Sequence, residues 1–329
     1  MAYQTGDTIL DDEYNLFISG SSATQYGINH IMGTGNAGYG LGQTELATTT
    51  AGVTIQAAQW NSLFTAMDNV ANHTNRSLTS TAARSAGDPI AAVSALSTDL
   101  NNLAADVVGG SVSATAISEG GEDQSLVASA VYDTSHICEA SFTFAGGNEA
   151  RWFFNAGGKL RMKLTNTATN STSKDTSVSG IITSIGTFDI ASTTSARSGS
   201  GDTATTEAST TGYYDLGTSY TTLLHIEESA GTYTNNVEVK YEAKVSSAHG
   251  DGLGNNGDVV TVKASVLLND GTRSDYTSGN TSGVNVEAEA AGPTDFAFHT
   301  VDPTTAQGLS TVYTSITVAS VSNAIVNND

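Results

Sequence analysis

Cysteine, proline and positive charge are all scarce in this chain. A single cysteine, Cys138, stands among 329 residues. An intrachain disulfide is therefore excluded, and the alternating apolar run around Cys138 predicts a buried structural thiol rather than a nucleophile. Only three prolines occur. Twelve lysines and arginines face 33 aspartates and glutamates, for a net charge of −21 and a pI near 4.3. Such a surface repels phosphates and anionic headgroups, which argues against nucleic acid as the main partner. No apolar run approaches the roughly 18 residues of a membrane helix, so membrane insertion is not expected. Met1 to Tyr14 carries acids where an export signal needs a basic stretch and then an apolar one. This predicts a protein made in a cytoplasm and kept soluble. Hydrophobic residues make up only 38%, yet they recur in strand-like patterns, so a disordered chain is rejected.

At 33.7 kDa the chain is long enough for one large or two ordinary domains. Leu10, Tyr14 and Phe17, after the capping-box-like Thr8-Ile-Leu-Asp11, predict a short amphipathic helix with Asp11, Asp12 and Glu13 in its first turn. A second helix is predicted from a Thr54 cap. Trp60, Leu63, Phe64, Met67 and Val70 lie on one face, and the end falls between Asn72 and Asn75. A third helix is predicted to begin at Asp88-Pro89 and stop at Gly109-Gly110. Its Val93, Leu96, Leu100, Leu103 and Val107 form a short 3-4-3-4 seam. That seam fits either a coiled coil between copies or packing against the second helix of the same chain. Beyond Gly110 the apolar residues switch to a period of two. Strand-like stretches run over Ile137 to Ala145, Arg151 to Asn155 and Lys159 to Asn166. Val237 to Val245 should pair with Val260 to Leu268, and a late strand near Val312 to Val318 should complete the sheet. The tracts Asn166 to Lys174 and Thr193 to Thr211 read as mobile or interface loops. The expected fold is mainly β, an antiparallel, jelly-roll-like sandwich with a small helical N-terminal segment. Residues 1–87 form a helical and loop docking module, 88–110 a connecting helix, and 111–329 the sandwich region. A split of that region near 200–212 is an option.

Motifs that would carry chemistry are weak. Gly33 to Gly42 is rich in glycine but lacks the Gly-Lys-Ser/Thr ending of a phosphate loop and the strand before a dinucleotide loop. A loop packed closely on its own helices or on a neighbouring chain explains it better. Asp251 to Asp258 fits a hairpin turn or, second, a calcium loop. Six histidines are scattered without paired spacing, and no Gly-x-Ser-x-Gly elbow occurs. No catalytic residue, cofactor or metal ligand is assigned, and the expectation is a protein that is not an enzyme. The concentration of Arg151, Lys159, Arg161 and Lys163 in one proposed hairpin is more unusual. It fits a basic patch that meets an acidic face of a second copy, or a solvated strand face that blunts aggregation.

Four segments carry a resemblance. Gly6-Asp-Thr-Ile-Leu-Asp-Asp-Glu-Tyr-Asn-Leu-Phe17, with Tyr26-Gly-Ile-Asn-His-Ile31 and Ala58-Gln-Trp-Asn-Ser-Leu-Phe64, resembles the N-terminal part of tailed-phage virion structural proteins of the marine-phage type. Arg151-Trp-Phe-Phe-Asn-Ala-Gly-Gly158 is similar to a recurring element of the same proteins. The resemblance implies a non-catalytic particle component, often tail-associated, in the virion. Its partners would be copies of itself, with a trimer expected, other virion proteins, and a host-surface glycan as an optional contact. A carbohydrate-binding adhesin and a head decoration protein are the rival readings. Tyr14, Phe17, Tyr26, Val93, Leu96, Leu100, Leu103, Arg151, Lys159, Arg161 and Lys163 are the candidate interface residues. Packing inside one chain is the plainer role for the aromatics among them.

Overall fold

Alternation along Val237–Val245 sets the frame. In the computed structural model Val237, Val239, Tyr241, Ala243 and Val245 are buried on one face of a strand, while Lys240, Glu242 and Lys244 sit on the wetter one. The structure describes residues 11–21, 26–36, 38–79, 83, 85, 93–119, 123–127, 132, 134–167, 173–228, 237–247, 257–268, 292–310 and 316–326.

The helices are α1 (Asp11–Ser19), α2 (Ile28–Met32), α3 (Ala57–Thr74), α4 (Val93–Val108), α5 (Gly147–Asn155) and α6 (Ser173–Ile185). The first sheet contains β1 (Ile117–Glu119), β2 (Gln124–Val127), β4 (Lys159–Asn166), β5 (Thr187–Ile190), β6 (Ser195–Arg197) and β11 (Thr294–Pro303). Its order is β1-β11-β4-β5-β6, with β2 also on β11. The second sheet contains β3 (Ser135–Thr143), β7 (Ala204–Glu207), β8 (Thr221–Glu227), β9 (Val237–Val245), β10 (Val259–Leu268) and β12 (Thr317–Val326), in the order β12-β3-β10-β9-β8-β7. Every pairing is antiparallel. The predicted partnership of β9 and β10 is present, with Tyr241 opposite Ala264. A late strand also completes this sheet on β3 over Thr317–Val326; residues 312–315 of the expected Val312 to Val318 lie outside the described residues.

The chain passes repeatedly between the two sheets, and residues 198–203 make one such passage, from β6 to β7. Phe188 of β5 lies 5.2 Å from Tyr241 of β9 between ring centroids. The ring of His136 on β3 meets Phe296 of β11 edge-on at 4.4 Å. Cys138, Ala140 and Phe142 continue that buried face of β3, so the expected buried thiol is found. Each large apolar side chain buried there contributes ~1.5–3 kcal/mol. Helices α1 to α4 pack on one another, and their buried residues join those of the sheets in one apolar cluster.

Several sequence expectations are corrected. Among the described residues, helix and strand take nearly equal shares, where a mainly β chain was expected. Residues 151–155 are helical rather than extended: Ala150, Phe153 and Phe154 recur at offsets of three and four and are buried together, an apolar stripe that a strand would split across two faces. The tract 193–211 contains β6 and β7; of the tract 166–174, residues 168–172 lie outside the described residues and Ser173 opens a helix whose Val178, Ile181, Ile182 and Ile185 are buried. Cross-strand bonds and packing override the weak propensities of these Ser/Thr-rich runs. Helix α3 starts after Gln56 rather than at a Thr54 cap, because the Gln59 side chain accepts the Gln56 N–H at 2.7 Å. Its end is as predicted, with Asn75 in the left-handed region at φ 58°. Helix α4 also ends as predicted, at Gly109-Gly110 with Gly110 at φ 65°. Thr8, Asp88-Pro89 and residues 251–256 of the candidate calcium loop lie outside the described residues.

Candidate functional site

The glycine-rich loop after α2 and helix α5 build the most elaborate polar joint of the described structure. Loop amides turn back onto α2: Gly40 N–H donates to Ile31 O at 3.2 Å, Leu41 N–H to Met32 O at 3.2 Å and Gln43 N–H to Met32 O at 2.8 Å. The Gly42 N–H donates to Gly33 O at 3.0 Å. These donors are spent within the loop, so they cannot cradle a phosphate. Gly40 sits at φ 95°, and a Cβ there would lie 2.5 Å from Thr34 O, so a side chain fits neither the backbone nor the space.

Helix α5 latches this loop from outside. Arg151 Nη2 donates to Thr34 O at 2.6 Å and to Asn148 Oδ1 at 3.0 Å, and Trp152 Nε1 donates to the same Thr34 O at 2.9 Å. Asn155 Nδ2 donates to Gly40 O at 2.9 Å while its Oδ1 accepts from Tyr214 OH at 2.7 Å. Burial lowers the Arg151 pKa and raises that of Tyr214. The rings of His30, Tyr26 and Tyr39 cluster at this loop, with His30 5.5 and 4.5 Å from the two tyrosines and the tyrosines 4.9 Å apart between centroids, and Tyr39 OH donates to Tyr26 OH at 2.7 Å. Burial, then the Arg151 charge, lowers the His30 pKa. Such a joint fixes backbone and offers no nucleophile with an adjacent base.

The remaining candidate interface residues fall in separate places. Tyr14 and Phe17 of α1 are buried against Trp60 of α3, with Tyr14 edge-on at 5.4 Å. Tyr26 is half-buried. Leu96, Leu100 and Leu103 of α4 are buried within the chain, and α4 packs on α3. Val93 begins α4, but its side chain lies outside the described residues. The proposed basic hairpin does not form, because Arg151 is buried in a helix on the far side of the turn from β4. Lys159, Arg161 and Lys163 do share one face of β4. The Arg161 guanidinium grips Asp189 of β5 through both carboxylate oxygens at 2.6 and 2.9 Å, and Lys159 Nζ lies 3.9 Å from the same carboxylate. Lys163 is exposed.

Sequence reasoning missed two further features. A groove of about 710 Å³ runs along α3, lined by Gln43, Asn61, Ser62, Asn69, Leu309 and Ser310 among others, with no aromatic ring in its wall. On the wet face of the second sheet, His225, Glu227 and Glu238 bring one ligand atom each within 4.8 Å of one another. His225 and Glu227 alternate on β8, and Glu238 enters from β9 directly opposite Glu227. The His-x-Glu spacing was available in the sequence, but the third member depends on strand register. Comparisons of the chain with family models, curated proteins and solved structures give no match.

Proposed function

We propose that this chain is a non-enzymatic structural component of a tailed-phage virion, a homotrimeric tail, fibre or neck protein. It docks through its N-terminal segment, and its two facing sheets act as a jelly-roll-like sandwich. One observation carries the reading. Two segments that bear the resemblance, Tyr26 to Ile31 and Arg151 to Gly158, are over a hundred positions apart in sequence but belong to one joint, in which Arg151 and Trp152 share the carbonyl of Thr34. Residues of that kind serve shape, since Arg151, Trp152 and Asn155 each donate to a loop carbonyl and so hold its backbone in place. The net charge of −21 keeps such a surface away from packaged nucleic acid and lipid.

Two measurements test this. Sedimentation of the purified chain should give a mass three times 33.7 kDa. Imaging of the particle that contains it should place its density on the tail or neck. A lone monomer at tens of micromolar, together with absence from purified particles, refutes the reading. Deleting residues 1–50 does not test docking cleanly, because Tyr14, Phe17, Ile28 and Ile31 belong to the core. Substitution of exposed residues is the better probe. The adhesin reading requires saturable glycan binding, and the groove along α3, with its amides and hydroxyls, is the place to look for it.

A further inference from the structure

We infer that His225, Glu227 and Glu238 form a binding site for a divalent transition metal, Zn²⁺ or its close analogues. The argument starts from register. In the antiparallel pair β8 and β9, Glu227 stands directly opposite Glu238 and His225 opposite Lys240. Two like charges in directly opposed positions destabilise a sheet, so this arrangement favours a bound cation, a role that Lys240 fills for Glu238 alone among the described contacts. In the structure Lys240 Nζ lies 2.6 Å from Glu238 Oε2, and His225 Nε2 lies 3.0 Å from the same oxygen and 3.3 Å from Glu227 Oε1.

Those separations suit a metal. With zinc–nitrogen and zinc–oxygen bonds of about 2.0–2.2 Å, adjacent ligands of a tetrahedron lie roughly 3.3–3.5 Å apart. The three ligand atoms could close on one ion with only small side-chain rotations. Their side chains are 14, 29 and 11% exposed for His225, Glu227 and Glu238, so the ion would be half-sheltered with its remaining position open to water. Ladder hydrogen bonds hold both strands and limit the cost of assembling the site. One imidazole with two carboxylates favours Zn²⁺, Co²⁺ or Mn²⁺ over Ca²⁺ and Mg²⁺, which prefer all-oxygen shells. A divalent ion with neutral imidazole also balances the two carboxylates, which frees Lys240 to extend its flexible stem into solvent. The ion would pin the end of β8 to the start of β9. This inference does not depend on the virion reading.

The test uses the full chain without a histidine tag, stripped by EDTA. Calorimetric titration with Zn²⁺ should give one ion per chain, Co²⁺ should develop the visible absorption of a four-coordinate site, and Zn²⁺ should raise Tm in a way that EDTA reverses. His225→Ala and Glu238→Gln should each weaken binding by ~100-fold or more, above the range seen when a supporting partner of a ligand is removed. Lys240→Met, which removes the competing cation, should tighten it. If His225→Ala fails to fold, Glu227→Gln decides, since that side chain is the most exposed of the three and its loss should still weaken binding about tenfold or more. Failure of the intact chain to bind Zn²⁺ stoichiometrically overturns the inference. So does binding that persists unchanged in Glu227→Gln and Glu238→Gln.

Discussion

Acidification should destabilise this protein through His73, and the size of the effect follows from its surroundings. His73 lies in the last turn of α3 and is fully buried. Its Nε2–H donates to Ala156 O at 3.0 Å, while the buried Nδ1 has no partner among the described residues. A proton on Nδ1 would create an unpaired charge in the core. Burial therefore holds the pKa down at about 4, against the ordinary 6.5, despite the opposing pull of the Ala156 carbonyl. Because the folded pKa is the lower one, the unfolded chain binds this proton first as pH falls. The His73 contribution to stability is full above pH 6.5, is lost between about 6.5 and 4, and changes no further below. The separation of about 2.5 pH units, at ~1.4 kcal/mol each, sets a loss of ~3 kcal/mol. Urea unfolding at half-unit pH steps, on the natural chain and on His73→Gln, isolates this contribution from that of the many carboxylates. The natural chain should lose ~3 kcal/mol more than the variant between pH 7 and 4. Parallel stability curves for the two proteins would refute the reasoning.

Three substitutions probe the packing. Leu100→Ala, at a fully buried position of α4, should cost ~2–5 kcal/mol in urea unfolding; a cost below 1 kcal/mol would mean that the helix seam is not core. Asn155→Ala removes the bonds to Gly40 O and from Tyr214 OH and should cost ~2–4 kcal/mol, with faster amide exchange at Gly40 to Gln43. Asp189→Asn weakens the paired grip of Arg161 and should cost ~1–2 kcal/mol, less at high salt. An unchanged midpoint in low salt would remove that pair from the account.

The strongest periodicities were readable before the structure. Val237 to Val245 and Val260 to Leu268 alternate without interruption, and α3 and α4 carry full apolar stripes, so burial alone fixes their type and face. Arg151-Trp-Phe-Phe was misread because adjacent aromatics favour strands by composition, whereas the helix depends on Ala150, Phe153 and Phe154 meeting one core. The spacing of Val178, Ile181, Ile182 and Ile185 was a usable helical signal in α6, masked by Ser, Thr and Gly180 between them. Strand β11 lies between β4 and both β1 and β2, and nothing local announces such a position. The joint around Thr34 and the triad around His225 were not legible, since each joins residues whose proximity is set by tertiary packing or strand register. Which basic residues find an acid is equally non-local: Arg161 meets Asp189 only because β4 and β5 are paired.

Gln43 accepts from Ser310 N–H at 2.7 Å, across 267 positions, and Arg151 reaches back 117 positions to Thr34. During synthesis at ~5–20 residues per second, the glycine-rich loop is made ~6–23 s before Arg151 and ~13–53 s before Ser310. Through that interval α1 to α4 can already pack on one another, but the loop between them lacks the bonds from Arg151 and Ser310. Closure of the glycine-rich joint thus waits on two residues, Arg151 and Ser310, that are made long after it.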